Sequence, residues 1–282
     1  MKQPPKVVFC TFADSRMKRS LRRIQAQAEA IEIFDSIHVM DESHLDSVFR
    51  ERFKDQLRPN VRGYGYWVWK PQIILQAFRN MEEGDLLLYC DTGCWINPKG
   101  KQRLLEYFEM TDRFGALAFQ VKNTFGDPHL DRFSLPERSW TKGDLFDHFS
   151  MRDNPDITDS QQIGAGIVLM KKCQRAEELL RQWMGVYEHD FSLADDSPSR
   201  SPNLDGFIEH RHDQSIFGIL CKLHDVKTLS AFEYCYPSST ANTKPDWNKL
   251  EHYPIWAKRD KDLGLLGLAR HKLNRALSRL RG

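Results

Sequence analysis

The stretch LLLYCDTGCWI, residues 86–96, decides how the chain is read. Its apolar run forms a strand, and the strand ends in Asp91-Thr92-Gly93. Those letters fit two unrelated chemistries. Asp-Thr-Gly is the catalytic turn of an aspartic protease, which works through two carboxylates sharing one proton. That chemistry needs a second copy of the turn, or a short all-β chain that dimerises. This chain has no second copy and is rich in helical segments, so the protease is set aside. The other chemistry needs one hard carboxylate at a strand end. A divalent ion such as Mg²⁺ or Mn²⁺ takes oxygen ligands, bridges phosphate oxygens and neutralises a leaving nucleoside diphosphate. Gly93 would let a substrate approach the backbone closely. A plain Asp-Gly turn after a strand is the competing account.

Outward from this stretch, strands and helices alternate. KVVFCTFA (6–13) is a continuous apolar run, as a buried parallel strand requires. Residues 14–34 have helical character, SIHVMDE (36–42) is a second strand, and 43–57 is a helix with Ser43 as its N-cap. A Gly-aromatic loop follows, and Lys70-Pro71 opens a helix, where a proline is tolerated in the first turn. After the 86–90 strand come strands at GALAFQV (115–121) and IGAGIVLM (163–170), helices at 173–190 and 211–224, and a last extended piece at 227–237. The polar segment 193–206 is a loop. The alternation predicts an α/β fold with a central, mostly parallel sheet flanked by helices, binding its ligands at the carboxyl ends of the strands. Asp91 lies at such an end.

Bulk properties narrow the classes. The 282 residues suit one large α/β domain or two small ones. A net charge of +2 gives no global attraction to nucleic acid. The six cysteines form no C-x-x-C pair, which predicts buried, reduced thiols. The N-terminal MKQPPKVVFCTFAD is no signal peptide, and no segment is long and apolar enough to span a bilayer. The expected location is the cytoplasm.

Several stretches occur in a fixed order with the Asp91 turn: GYGYWVWKP (63–71), WTKGDLF (140–146), SQQIGAGIVLMKK (160–172) and HRHDQSIFGIL (210–220). Over about residues 6–260, the series resembles bacterial glycosyltransferases of the glycosyltransferase-A fold that act in surface polysaccharide synthesis. The resemblance implies a Rossmann-type catalytic domain over 1–260. It also implies a nucleotide-diphosphate sugar donor and a glycan or lipid-linked acceptor, as in capsule or lipopolysaccharide. A nucleotidyltransferase of related fold is the first alternative, although TFADSRMKRS lacks the glycines of a nucleotidyltransferase loop. A catalytically inactive sugar-binding subunit is the second. In the family a strand-end D-x-D holds a divalent metal, Mn²⁺ or Mg²⁺. Here Asp91 has Gly93 in place of the second acid.

The resemblance also carries roles to individual residues. Thr11, Phe12, Ala13 and Asp14 occupy the strand end that cradles the nucleotide, with helix capping the other account of Asp14. Lys70 follows Tyr64, Tyr66, Trp67 and Trp69, which could stack on a base or sugar while Lys70 meets phosphate. Trp140, Lys142 and Asp144 combine an aromatic face, a cation and a carboxylate, suited to acceptor hydroxyls; a solvated loop is the alternative. Gly164, Ala165 and Gly166 are small where a sugar would press on the backbone, with Gln161 and Gln162 in reach of its hydroxyls. Asp213 and Gln214 open a helix, and Asp213 is either the carboxylate acting on the acceptor or donor, or an N-cap, with Glu209 and His212 as second choices. His252 and Lys258 are spaced as in glycogenin-type sequences, where a His ligates the metal and a Lys grips the diphosphate. Arg259 is a further phosphate contact.

The tail LGLLGLARHKLNRALSRLRG (263–282) has Leu266, Leu273, Leu277 and Leu280 close to one helical face, many cations and no acid. It predicts a basic amphipathic helix over 261–282, lying on an anionic surface at the inner face of the cytoplasmic membrane. A C-terminal helix packed on its own domain is the alternative.

Overall fold

A computed structural model describes residues 4–239 and 245–259. The strands are β1 (Val7–Phe12), β2 (Ser36–Met40), β3 (Leu86–Cys90), β4 (Trp95–Ile96), β5 (Ala116–Gln120), β6 (Ile163–Lys171), β7 (Lys227–Ser230) and β8 (Ile255–Trp256). Six of them form one sheet in the order β2-β1-β3-β6-β5-β7, and β4 pairs with β8 in a small separate ribbon. β1 runs parallel to β2 and β3, and β5 parallel to β7. Only β6 runs against its neighbours. The sheet is therefore mostly parallel, as the sequence predicts.

Every residue of β3 is buried, because helices cover both faces of the sheet. Val8, Cys10, Phe12, Leu87 and Tyr89 face a layer built from the helices Trp69–Arg79, Gln174–His189 and Asp213–Leu223. Phe9, Leu86, Leu88 and Cys90 face the helices Lys18–Ala30 and Lys101–Phe114. Successive side chains of a strand point to opposite faces. A continuous apolar run thus serves two cores at once, each large side chain stabilising by about 1.5–3 kcal/mol.

Chain order positions the site. From β1 the chain moves outward to β2, then crosses back to β3 on the other side of β1. The connections diverge between β1 and β3, and such a switch point leaves a crevice at the carboxyl ends of the strands. Asp91 follows β3 directly.

Two sequence expectations change. Ser43 does not cap a long helix: Asp41 accepts from the Ser43 amide and caps a short turn, Glu42–His44, and the helix is only Ser47–Arg52. A carboxylate two residues earlier reaches the free amides first. The Gly-aromatic loop is a left-handed run, with φ of 59° at Gly63, 54° at Tyr64, 94° at Gly65, 49° at Tyr66 and 60° at Trp67. Glycine adopts this region freely, but each of the three aromatic residues costs about 1–2 kcal/mol there. The predicted boundary at residue 260 and the tail 261–282 lie outside the described residues. All six cysteines are free, four of them buried. Among the described residues, no helix is long and apolar enough to cross a membrane.

Candidate active site

A buried charge triad sits at the end of β3. Asp213 opens its helix with its side chain 9% exposed, and Lys70, in the first turn of the Trp69–Arg79 helix, is 2% exposed. Asp91 is the open member, 36% exposed. Lys70 Nζ donates to Asp213 Oδ2 (2.6 Å) and to the Ala165 carbonyl (3.0 Å), and pairs with Asp91 Oδ1 (3.2 Å). An ammonium has three N–H donors, and here three hydrogen-bond acceptors surround it. Tyr89 Oη donates to the same Asp91 Oδ1 (2.5 Å). Tyr89 and Asp91 are two residues apart, so they share one face of the strand.

The electrostatics follow from two carboxylates around one ammonium. Burial alone would lower the Lys70 pKa, but Asp213 and Asp91 outweigh it and hold Lys70 above the ordinary lysine value. Burial pushes Asp213 up to about 6; Lys70 opposes this and Asp91 adds to it. Asp213 therefore takes up its proton at a higher pH than an ordinary carboxyl group.

The surroundings hold Asp91 in place. Its amide donates to the Gly166 carbonyl (2.8 Å). A Cβ on Gly166 would lie 3.0 Å from Asp91 Oδ2, so the carboxylate rests against bare backbone. Arg23, from the helix after β1, donates to the carbonyls of Thr92 (2.6 Å) and Cys94 (2.8 Å) and clamps the turn that contains Gly93. Thr11 Oγ1 donates to the Cys90 carbonyl (2.7 Å), which ties the ends of β1 and β3 together. Phe12 packs on Trp69 with ring centroids 4.3 Å apart, Trp69 Nε1 donates to the Gly63 carbonyl (3.0 Å), and Ala13 is buried beside them. Asp14 pairs with Arg16 (2.6 Å) and accepts the Arg16 amide, so it is a cap. The sequence-predicted residues at the ends of β1, β3 and β6 and at the start of the last long helix are thus brought together.

Other expected residues have different tasks. Lys70 does not present an ammonium to phosphate, because all its donors face inward. Lys142 Nζ donates to the carbonyls of Ser192 (2.5 Å) and Ser197 (3.0 Å), and its side chain is 2% exposed. Asp144 accepts the amides of Arg200 and Ser201 and the Ser201 hydroxyl, each at 2.8 Å. Burial alone would raise its pKa, but these donors bring Asp144 down to about 2. Both residues staple the 190–203 loop to the domain, where the sequence suggests an acceptor role for them. Gln162 is buried, donates to Glu137 (3.0 Å) and accepts from Gln214; Glu137 in turn pairs with Lys222 (2.6 Å). The Gln162 amide is thus spent on an internal network, whereas Gln214 is half-buried. Gly164 is required, but by the protein itself: a Cβ there would lie 2.5 Å from Tyr234 Oη.

His252 is exposed, on the turn before β8. Asn97 donates to the carbonyls on either side of it, Glu251 (2.7 Å) and Tyr253 (3.0 Å). In the ribbon, Trp95 opposes Trp256 and Ile96 opposes Ile255, so His252 sits at the Asn97 end and the Asp91 turn at the other. Lys258 and Arg259 follow β8 toward the Asp91 turn. The Lys258 ammonium lies over Trp95 (4.1 Å) and Trp256 (4.5 Å). Among the described residues, no three His, Cys, Asp or Glu side chains come together as a metal site.

Sequence reasoning missed Tyr89, Arg23 and Arg211. The Arg211 guanidinium stacks 4.2 Å over the half-buried Trp140 and pairs with Glu209 (2.9 Å). Beside it, His212 enters the helix with φ 54° and stacks on Trp67 (5.7 Å). A groove of about 570 Å³ along the edge strand β2, lined by His38, Gln76 and Arg79 among others, contains none of the expected site residues.

By sequence, no family model and no curated protein matches the chain. Solved structures resemble it in chain path. A glycosyltransferase involved in glycosylation of the major capsid of PBCV-1 is 12% identical, with 92% of this chain and 98% of that chain covered and a TM-score of 0.45. Mouse xyloside xylosyltransferase 1 is 9% identical over 90% and 97% of the two chains, with a TM-score of 0.45. The galactosyltransferase LgtC, in complex with donor and acceptor sugar analogs, is 13% identical over 89% and 86%, with a TM-score of 0.42. What this chain does has to follow from its own site.

Proposed function

We propose that the chain is a nucleotide-sugar-dependent glycosyltransferase. It would move a sugar from a nucleoside-diphosphate sugar to a hydroxyl of a glycan or lipid-linked acceptor in bacterial surface polysaccharide synthesis. One observation carries this: Asp91 is the only partly open carboxylate of a buried triad, at the carboxyl end of β3 and beside the β1–β3 switch point.

In this account the donor lies across the ends of β1 and β3, with Thr11, Phe12 and Ala13 beneath it. Gly93 carries no side chain beside Asp91, and Gly166 makes room for the Asp91 carboxylate itself. The diphosphate points toward Lys258 and Arg259, and the anomeric carbon toward Asp91. The acceptor hydroxyl attacks that carbon and gives its proton to Asp91, through the oxygen that Lys70 and Tyr89 leave open. Asp213 is a positioning residue: it holds Lys70, and Lys70 holds Asp91. Trp140 and Arg211 flank the acceptor side. Residues 261–282 would form a basic amphipathic helix that brings the enzyme to an anionic membrane surface and its lipid-linked acceptor, from the cytoplasmic side.

The test is incubation of the purified chain with a panel of nucleotide sugars. Release of nucleoside diphosphate is expected from one of them. Release of pyrophosphate from a nucleoside triphosphate and a sugar phosphate would mark a nucleotidyltransferase, and tight binding without turnover a sugar-binding subunit. Removing residues 263–282 should abolish binding to anionic liposomes while turnover of a short soluble acceptor persists.

A further inference from the structure

We infer that donor binding at this site uses no divalent metal ion, and that the cation facing Asp91 is the chain's own Lys70. The inference rests on the transferase reading above. A divalent ion of the Mg²⁺ or Mn²⁺ type needs several oxygen ligands with open lone pairs. Asp91 Oδ1 already accepts from Tyr89 and pairs with Lys70. Oδ2 alone is left, and it lies against the Gly166 backbone. The next carboxylate, Asp213, is buried with its Oδ2 on Lys70. Position 93, where a second acid would stand, is glycine. Cys90 and Cys94 are buried. His252 belongs to the far end of the β4–β8 ribbon. Among the described residues, one open oxygen does not make a metal site.

Charge leads to the same conclusion. An ammonium 3.2 Å from Asp91 Oδ1 already offsets the charge of this carboxylate from its buried side, and a second cation brought to Oδ2 would be repelled by it. A metal's task with a nucleoside diphosphate is to offset negative charge, and side-chain cations do the same. This end of the sheet supplies them. Lys258 and Arg259 follow the ribbon, and Arg211 lies on Trp140 with one third of its side chain exposed. Burial lowers the pKa of Arg211, and the charges of Arg259 and Arg62 lower it further, which places three guanidiniums within electrostatic reach of one another.

The experiment measures binding of uridine, guanosine, adenosine and cytidine diphosphates to the full chain. Each titration is run in excess EDTA, in Mn²⁺ and in Mg²⁺. For the nucleotide that binds, the dissociation constants are expected to agree within about threefold across the three conditions. Arg259→Gln should weaken binding by about tenfold, equally with and without metal. Tightening by more than threefold in either metal would overturn the inference and leave the transferase reading standing. Absence of binding to all four nucleotides in all three conditions would overturn the transferase reading and the inference with it.

Discussion

Lys70 and Lys142 look alike in sequence and are alike in burial. Each lies one or two residues after a tryptophan, and each side chain is 2% exposed. Their hydrogen-bond acceptors separate them. Lys142 faces two loop carbonyls, and burial lowers its pKa because the acidic residues Asp195, Asp144, Asp196 and Asp190 only partly compensate. Lys70 faces two carboxylates, which hold its pKa up against burial. A lysine closed on carbonyls is a staple. A lysine shared by two carboxylates, one of them open, is part of a site, because the open carboxylate keeps an unsatisfied edge toward solvent. Burial and residue type do not distinguish the two roles; the acceptors do.

One substitution in the triad and one in the loop staple should separate the two roles. Lys70→Met leaves Asp213 buried without its counter-ion, which costs about 3–5 kcal/mol. Urea unfolding should show that loss, and turnover should vanish. A loss below about 1 kcal/mol would mean that the triad is not the structural hub described here.

Asp144→Ala removes the hydrogen-bond acceptor for two amides and a hydroxyl of the 190–203 loop. A cost of about 1–3 kcal/mol is expected, along with faster proteolysis inside the loop. Turnover per folded molecule should stay within about threefold of the parent, as for a change outside the machinery. A selective rise in acceptor KM with stability intact would restore the acceptor role that the sequence suggests.

The smallest effect concerns pH. Asp213 is raised to about 6 in the folded protein, above the ordinary carboxylate range. The folded state therefore holds that proton more tightly than the unfolded state. The stability from this linkage is fully present below the ordinary carboxylate pKa and is lost as pH rises through about 6. Activity runs the other way, because the protonated form no longer balances Lys70. Turnover should fall on the acid side with a midpoint near 6, and Asp213→Asn should flatten that limb at a reduced rate. An unchanged limb in the variant would assign it to another group.

The inner strands β1, β3, β5 and β6 were legible because burial on both faces leaves a largely apolar run. The direction of β6 was not, because Ile163–Lys171 has the same composition whichever way it runs. The β4–β8 ribbon, two residues per strand, is too short for any period. At the site, Asp91 was legible as a strand-end carboxylate, and Tyr89 could have been found from strand alternation. Arg23 could not: it reaches carbonyls 69 and 71 residues away. Spacing suggested His252 as a partner of the same turn, but the register of the ribbon takes it to the opposite end. The left-handed run at Gly63–Trp67 was half visible. Its two glycines signal a turn, whereas Tyr64, Tyr66 and Trp67 hold positive φ only because tertiary packing over-determines them.

The central claim is that Asp91, held by Lys70 and Tyr89, is the carboxylate that meets the substrate. Asp91→Asn keeps the shape and removes the charge, so release of nucleoside diphosphate from the cognate nucleotide sugar should be compared in the parent and this variant. Circular dichroism and the melting temperature serve as controls for fold. The account predicts an unchanged fold, nucleoside diphosphate affinity within about threefold, and a catalytic rate lower by at least about a hundredfold. A folded Asp91→Asn protein that turns over like the parent would contradict it.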